Sequence, residues 1–137
     1  MSQQQKQLDI TAVLEQAGPY PIEAYNFVRE GLSYTVEKLH AADPDLDEID
    51  RHISGQQLCM GLRDFAIDRY GLMAPVVFEH WHVSRTDDFG RIVFAMVDAG
   101  LMSKTDEDSP EDFRAVFNFS EAFSREEMLA RLTPVGC

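Results

Sequence analysis

Four polar side chains near the start of one helical pattern could together line a small ligand pocket. They are His52, Gln56, Gln57 and Arg63, and they flank or interrupt an otherwise apolar stretch. Imidazole, amide and guanidinium groups that converge on a cleft can bind a ligand or move a proton. The same side chains also serve as helix caps and as hydrogen-bond partners that fix helix packing. We favour the packing interpretation and keep an enzyme of unrecognised type as an alternative.

The cysteines and histidines do not have the spacing of a nucleophile or of a zinc site. Cys59 lies on an apolar helical stripe, where a cysteine is typically a small core residue. His80 and His82 are two positions apart, which on a helix places them on different faces. Gly-rich phosphate loops and the common hydrolase motifs are absent from the sequence. We therefore predict no catalytic residue, no cofactor and no transition metal.

An acidic stretch in the first third of the chain has the alternating spacing that begins a calcium-binding loop. Asp43, Asp45 and Asp47 provide that spacing. Glu48 then stands where the sharp turn needs glycine, and Ser54 stands where a bidentate glutamate should close the site. The pattern predicts a solvated acidic connection without a metal ion.

The composition is that of a globular protein with a strong acidic excess. The chain has 137 residues, 45% of them hydrophobic, with 12 basic and 24 acidic side chains and a formal net charge of -12. This charge repels phosphate backbones and anionic membranes, and it favours solubility and basic or neutral partners. Residues 1–6 have no signal-peptide character, and no apolar run approaches the ~20 residues that span a bilayer. With two cysteines, we expect one reduced, cytoplasmic domain over residues 1–137, and a homodimer is left open.

Apolar residues at helical spacing predict the elements that would position these side chains. We expect two N-terminal helices over 8–40, and the second of them runs from Pro21 to His40. A third helix should begin at a capping box formed by Ser54 and Gln57 and end at Gly71. Further helices are predicted over 72–81, over 86–100 with Thr86 as the cap, and over 124–133.

The period of the pattern changes after the fifth predicted helix. Residues 101–104 and 113–119 resemble two short strands, because apolar and polar residues alternate in the second of them. An acidic tip lies between the two segments. The predicted fold class is therefore mostly α, with a winged-helix-like unit of three helices and a β-hairpin over 54–119.

A winged helix suggests DNA binding, but the charges on the predicted surface oppose it. Arg85 and Arg91 compete with neighbouring aspartates, and the wing carries five acids against two basic residues: Asp106, Glu107, Asp108, Glu111 and Asp112 against Lys104 and Arg114. We predict a non-enzymatic protein-interaction or regulatory module whose surface includes Arg85, Arg91, Asp106, Glu107 and Asp108. A nucleic-acid-associated regulator, the alternative, requires Arg85, Arg91 and Lys104 to share one face.

Three stretches carry a resemblance to a known family: Tyr20–Thr35, His52–Gly71 and Thr86–Ser109. As a set, they resemble a family of small conserved hypothetical proteins found mainly in planctomycete- and verrucomicrobium-type bacteria. The resemblance extends from about Leu14 to Phe123. It implies a compact cytosolic protein of this length, and it carries over no activity, cofactor or catalytic residue.

Overall fold

Helices form nearly all of the regular structure in the computed structural model, which describes residues 18–42, 53–105 and 107–132. The helices are α1 (Ile22–Ala42), α2 (Gly55–Tyr70), α3 (Ala74–His80), α4 (Thr86–Asp98), α5 (Phe119–Ala122) and α6 (Arg125–Leu132). Short 3-10 helices cover Gly71–Met73 and Pro110–Phe113. The described ranges contain no strand. The prediction of a mostly helical protein is confirmed. The helix predicted at the start of the 8–40 segment lies outside the described residues, and the single domain stays a prediction.

The beginning of α2 follows the predicted capping box. The Ser54 Oγ atom accepts a hydrogen bond from the Gln57 N–H at 3.1 Å, and Gln57 Oε1 accepts one from the Ser54 N–H at 2.8 Å. Two backbone donors that a helix start leaves unpaired are thereby satisfied. The beginning of α6 is capped in the same way by Ser124, whose Oγ atom accepts a hydrogen bond from the Glu127 N–H at 3.1 Å. At α4 the prediction is wrong by one residue, because Arg85 is the cap and Thr86 is the first helical residue.

Two glycines allow α1 and α2 to cross at short range. A Cβ atom at Gly61 would lie 2.8 Å from both Cβ and Cγ2 of Thr35 on α1. A Cβ atom at Gly31 would collide with the Leu62 side chain on α2. Since carbon atoms pack at about 3.5–4.0 Å, neither position leaves room for a larger residue. This close crossing brings the two longest helices into direct backbone proximity.

The short helix α3 lies at the centre of an aromatic core. Phe78 is 1% exposed, and its ring centroid lies 5.2–5.7 Å from four phenylalanine rings contributed by α1, α4, α5 and the residue after α5. Trp81, at the end of α3, packs against Phe27 at 5.3 Å and Tyr70 at 6.0 Å. Val76, on another face of the same helix, is 53% exposed. The buried face of α3 is therefore the aromatic one.

The predicted β-hairpin is not formed by the described residues. In a hairpin, the backbone N–H groups of this segment would bind a neighbouring strand, but here they bind side chains of α4. The Ala115 N–H donates to Asp87 Oδ1 at 3.4 Å, and the Val116 N–H donates to Thr86 Oγ1 at 3.1 Å. Ala115 also has a φ of 48°, which ends an extended segment. Asn118 then caps α5. The alternating pattern at 113–119 therefore spans the end of a 3-10 helix, a loop over 114–118 and the start of α5, and the winged-helix prediction is wrong in its wing.

Candidate functional site

A half-open cavity of about 430 Å³ lies where α1, α2 and α4 meet the loop after α4. Apolar side chains from all four elements line it, among them Leu32, Leu58, Phe94 and Met102. A volume of this size, with mostly apolar walls and a few polar groups, is typical of sites that bind small ligands or single side chains. We refer to it as the central cavity.

The loop that covers one side of the central cavity is held by backbone and carboxylate hydrogen bonds. Gly100 ends α4 with a φ of 77°, and the Leu101 N–H donates back to the Met96 carbonyl at 2.8 Å. This left-handed C-terminal turn reverses the chain toward the cavity. Further along, Asp108 Oδ2 accepts from the Thr105 N–H at 2.8 Å. Asp112 Oδ2 accepts from the Ser109 N–H at 3.0 Å.

Four charged side chains line the central cavity, and they differ in their hydrogen-bond and ion-pair partners. Asp108 and Asp112 each use a carboxylate oxygen to accept a backbone N–H, as described above. Arg29 on α1 and Lys104 on the loop are exposed and line the same cavity. Neither cation forms an ion pair with another residue in the described part of the chain. The lining of the central cavity therefore carries two cations and two carboxylates.

None of the three described residues of the predicted polar pocket lines the central cavity. Gln56 and Gln57 line a shallower groove between α1 and α2, separate from the central cavity. Gln57 caps α2, as the packing interpretation expected. Arg63 donates to Asp64 Oδ1 at 3.0 Å and lines neither site. His52 lies outside the described residues.

The described residues of the predicted interaction surface lie in separate places. Arg85 lines a shallow groove with Phe117 and Asn118, whereas Asp108 and Lys104 line the central cavity. Arg91 is exposed on α4 and lines neither. Glu107 is exposed, and Asp106 lies outside the described residues.

Cys59 is placed where it cannot act as a nucleophile at neutral pH. Its side chain is fully buried in the core, and burial raises the pKa of the thiol to about 12, with a smaller contribution from the negative charge of Asp87. Since the thiolate is the reactive form, this thiol stays protonated and inert. The prediction that Cys59 is a core residue is confirmed.

Asp88 has a structural function that sequence reasoning did not find. Its side chain is 8% exposed and accepts the Tyr20 hydroxyl at 2.5 Å, the Ser84 N–H at 2.9 Å and the Arg85 N–H at 3.2 Å. Asp88 is therefore the acid of a capping box at the start of α4, whose N-cap residue is Arg85, and it ties that helix to the segment before α1. The position of an acid in the first turn could have indicated the cap. No local pattern indicates Tyr20, which is 68 positions away.

Searches for metal sites, membrane spans and relatives gave negative findings. Within residues 18–42, 53–105 and 107–132, no three His, Cys, Asp or Glu side chains come together as a metal site. No helix in those ranges is long and apolar enough to cross a membrane. No family model, curated protein or solved structure matches this chain. The resemblance to the bacterial family stays a prediction.

Proposed function

We propose that this protein is a non-enzymatic interaction module that holds a short segment of a partner protein in the central cavity. The observation that supports the proposal is a half-open cavity of about 430 Å³ with mostly apolar walls, whose lining also includes charged side chains such as Arg29 and Lys104. Such a cavity has room for one or two side chains of a peptide.

The side chains with chemical potential support a binding function over catalysis. Cys59 is buried and protonated, Asp88 accepts three structural hydrogen bonds, and Arg63 is paired with Asp64. The described residues that line the central cavity include no histidine and no cysteine, the side chains most often used for proton transfer and nucleophilic attack.

The overall charge supports a protein as the partner. A formal net charge of -12 repels nucleic acids over distances of about 8–10 Å at physiological ionic strength. We also propose a cytoplasmic location, which the presence of only two cysteines supports.

A peptide-display selection tests this function. Random peptides should be selected against the wild-type protein and against Ser33→Trp, which places a large ring at an exposed position that lines the central cavity. Asp68→Trp is the matched control, because Asp68 is exposed on α2 and does not line that cavity. We expect peptides that bind the wild type and the control but not Ser33→Trp. A selection without enriched peptides, or binding that Ser33→Trp leaves unchanged, rejects the proposal.

A further inference from the structure

We infer that two copies of this chain associate through an apolar patch formed by the 3-10 helix before α3, by α3 itself and by α6. The patch consists of Leu72, Met73, Val76, Leu129 and Leu132, whose side chains are 41–57% exposed. None of them lines the central cavity. The inference therefore goes beyond the proposed function, and either can fail without the other.

The five side chains of the apolar patch are neighbours in space. Val76 lies three and four positions after the two patch residues of the 3-10 helix, so the three share one side of this helical segment. Leu129 and Leu132 share one side of α6 in the same way, and α6 packs against the 3-10 helix. The Leu132 Cδ1 atom lies 3.9 Å from the position that a Cβ atom would take at Gly71, the first residue of that 3-10 helix. The two halves of the patch are thus adjacent.

Most of the large apolar side chains that the described residues expose belong to this patch. Seven such side chains are exposed in the described ranges, and the two outside the patch are Ile22 on α1 and Met60 on α2. Single exposed apolar side chains are normal on a soluble protein, whereas a contiguous group marks an interaction surface. Other residues already anchor the same elements in the core, since Phe78 on α3 and Met128 on α6 are buried.

The charge around the patch favours a second copy of the chain as its partner. Residues 71–80 and 125–132 contain three acids and two basic residues, a net charge of -1, although the whole chain carries -12. A strongly basic partner is attracted to the acidic remainder of the surface and gains little at this nearly neutral part. Anionic membranes and nucleic acids are repelled by the chain as a whole. Two copies repel each other least where both are nearly neutral, and a contact there covers the apolar side chains of both.

The order of charges on α6 suits a two-fold contact. Arg125 and Glu126 lie four and three positions before Leu129, on the exposed side of the helix, and they have opposite signs. In a two-fold interface each contact between two residues is repeated in reverse, so the arginine of each copy can meet the glutamate of the other. The same surface therefore presents apolar residues to apolar residues and opposite charges to one another.

The size of the patch determines the strength of the contact. Stable interfaces have about 20–30 residues a side, and this patch has five large apolar residues with a few charged neighbours. The dimer is therefore weak, with a dissociation constant of about 10–100 µM. Two chains of charge -12 repel each other, so salt should strengthen the dimer. Between about 0.05 and 0.5 M NaCl, its dissociation constant should fall at least about threefold.

Sedimentation equilibrium tests the inference. The wild type, Met73→Glu and Leu129→Glu are compared between about 10 µM and 1 mM, with a reductant present so that no disulfide links two copies. Each substitution places a carboxylate on both sides of a two-fold contact, and it should raise the dissociation constant at least about thirtyfold. Met60→Glu is the matched control, because it makes the same change at an exposed methionine outside the patch. It should associate like the wild type.

Circular dichroism first establishes that each variant is folded. Met73→Glu alone decides the test if Leu129→Glu does not fold, since Met73 is the most exposed residue of the patch. A wild type that stays monomeric up to about 1 mM overturns the inference. A dimer that a folded patch variant leaves unchanged, or that Met60→Glu weakens equally, overturns it as well. A dimer that salt weakens would be held by opposite charges instead of the apolar patch, which also overturns the inference. The peptide-display selection stays the separate test of the proposed function.

Discussion

The hydrogen-bond cluster at Asp88 gives the sharpest test of the fold. Replacing Asp88 with alanine removes the acceptor for the Tyr20 hydroxyl and for the Ser84 and Arg85 N–H groups. Loss of a helix cap costs about 1 kcal/mol, and a buried hydroxyl left without a partner costs about 1–3 kcal/mol. We therefore expect the free energy of unfolding to fall by about 2–4 kcal/mol. At about 4 °C for each kcal/mol, the melting temperature should fall by about 8–16 °C.

A double-mutant cycle with Tyr20→Phe isolates the long-range hydrogen bond from the cap. Tyr20→Phe alone leaves both backbone N–H groups bound to Asp88, so it should cost only about 1–2 kcal/mol. In the double variant Tyr20→Phe/Asp88→Ala, the loss should be smaller than the sum of the single losses by about 1 kcal/mol. Urea unfolding followed by circular dichroism measures all three values.

The control for this cycle is Asp98→Ala, which makes the same chemical change at an exposed position at the end of the same helix. It should change the stability by less than about 0.5 kcal/mol. Additive losses in the Tyr20 and Asp88 variants would show that the two side chains are not coupled. An Asp88→Ala loss as small as that of Asp98→Ala would refute the assignment of Asp88 as a buried cap.

Further predictions follow from the helix crossing, the buried thiol and the buried tyrosine. Gly61→Ala should lower the free energy of unfolding in urea by up to about 2 kcal/mol, because an overpacking cost of about 1–3 kcal/mol is offset by a gain in helix propensity of about 1 kcal/mol. Adding Thr35→Ala should recover part of the loss, and a stabilised Gly61→Ala would contradict the close crossing. Cys137→Ser leaves Cys59 as the one cysteine of the chain. In that variant at pH 8, Cys59 should react with a thiol-specific chromogenic reagent only after unfolding in urea. Rapid reaction of the folded protein would contradict the burial of Cys59. Burial and the hydrogen bond to Asp88 raise the pKa of Tyr20 above its ordinary value of 10.0, so its contribution to stability is complete below that pH and is lost at higher pH. Between about pH 9 and 11 the urea midpoint of the wild type should therefore fall more steeply than that of Tyr20→Phe, and parallel curves would refute the shift.

Local sequence patterns predicted the long helices because apolar spacing and capping residues, which determine a helix, lie within the helix itself or next to it. The stripe on α4 appears in the structure as buried Phe89, Ile92, Val93 and Met96, and the capping box at Ser54 is formed. The hairpin failed for a physical reason. An alternating pattern indicates which residues are apolar, but it does not indicate whether the backbone N–H groups will bind another strand or the side chains of Thr86 and Asp87.

The candidate site could not be predicted from the sequence because its parts are distant in the chain. Arg29 and Lys104 come from the first described helix and from the loop after α4. Arg29 lies within an amphipathic helical pattern, and nothing in its sequence neighbours indicates a cavity. The polar residues around Arg63 attracted attention because they interrupt an apolar stripe, and the structure uses Gln57 as a cap and Arg63 as an ion-pair partner.

The position of Trp81 gives the protein an internal optical reporter of folding. It is the only tryptophan in the chain, it is 7% exposed, and its ring touches aromatic rings from α1, α2 and α3. Its fluorescence therefore changes when any of those three helices separates from the others. Trp81 does not line the central cavity, so a peptide bound there leaves the indole environment intact. Intrinsic emission and the anisotropy of a labelled peptide thus report folding and binding as two independent signals in one sample.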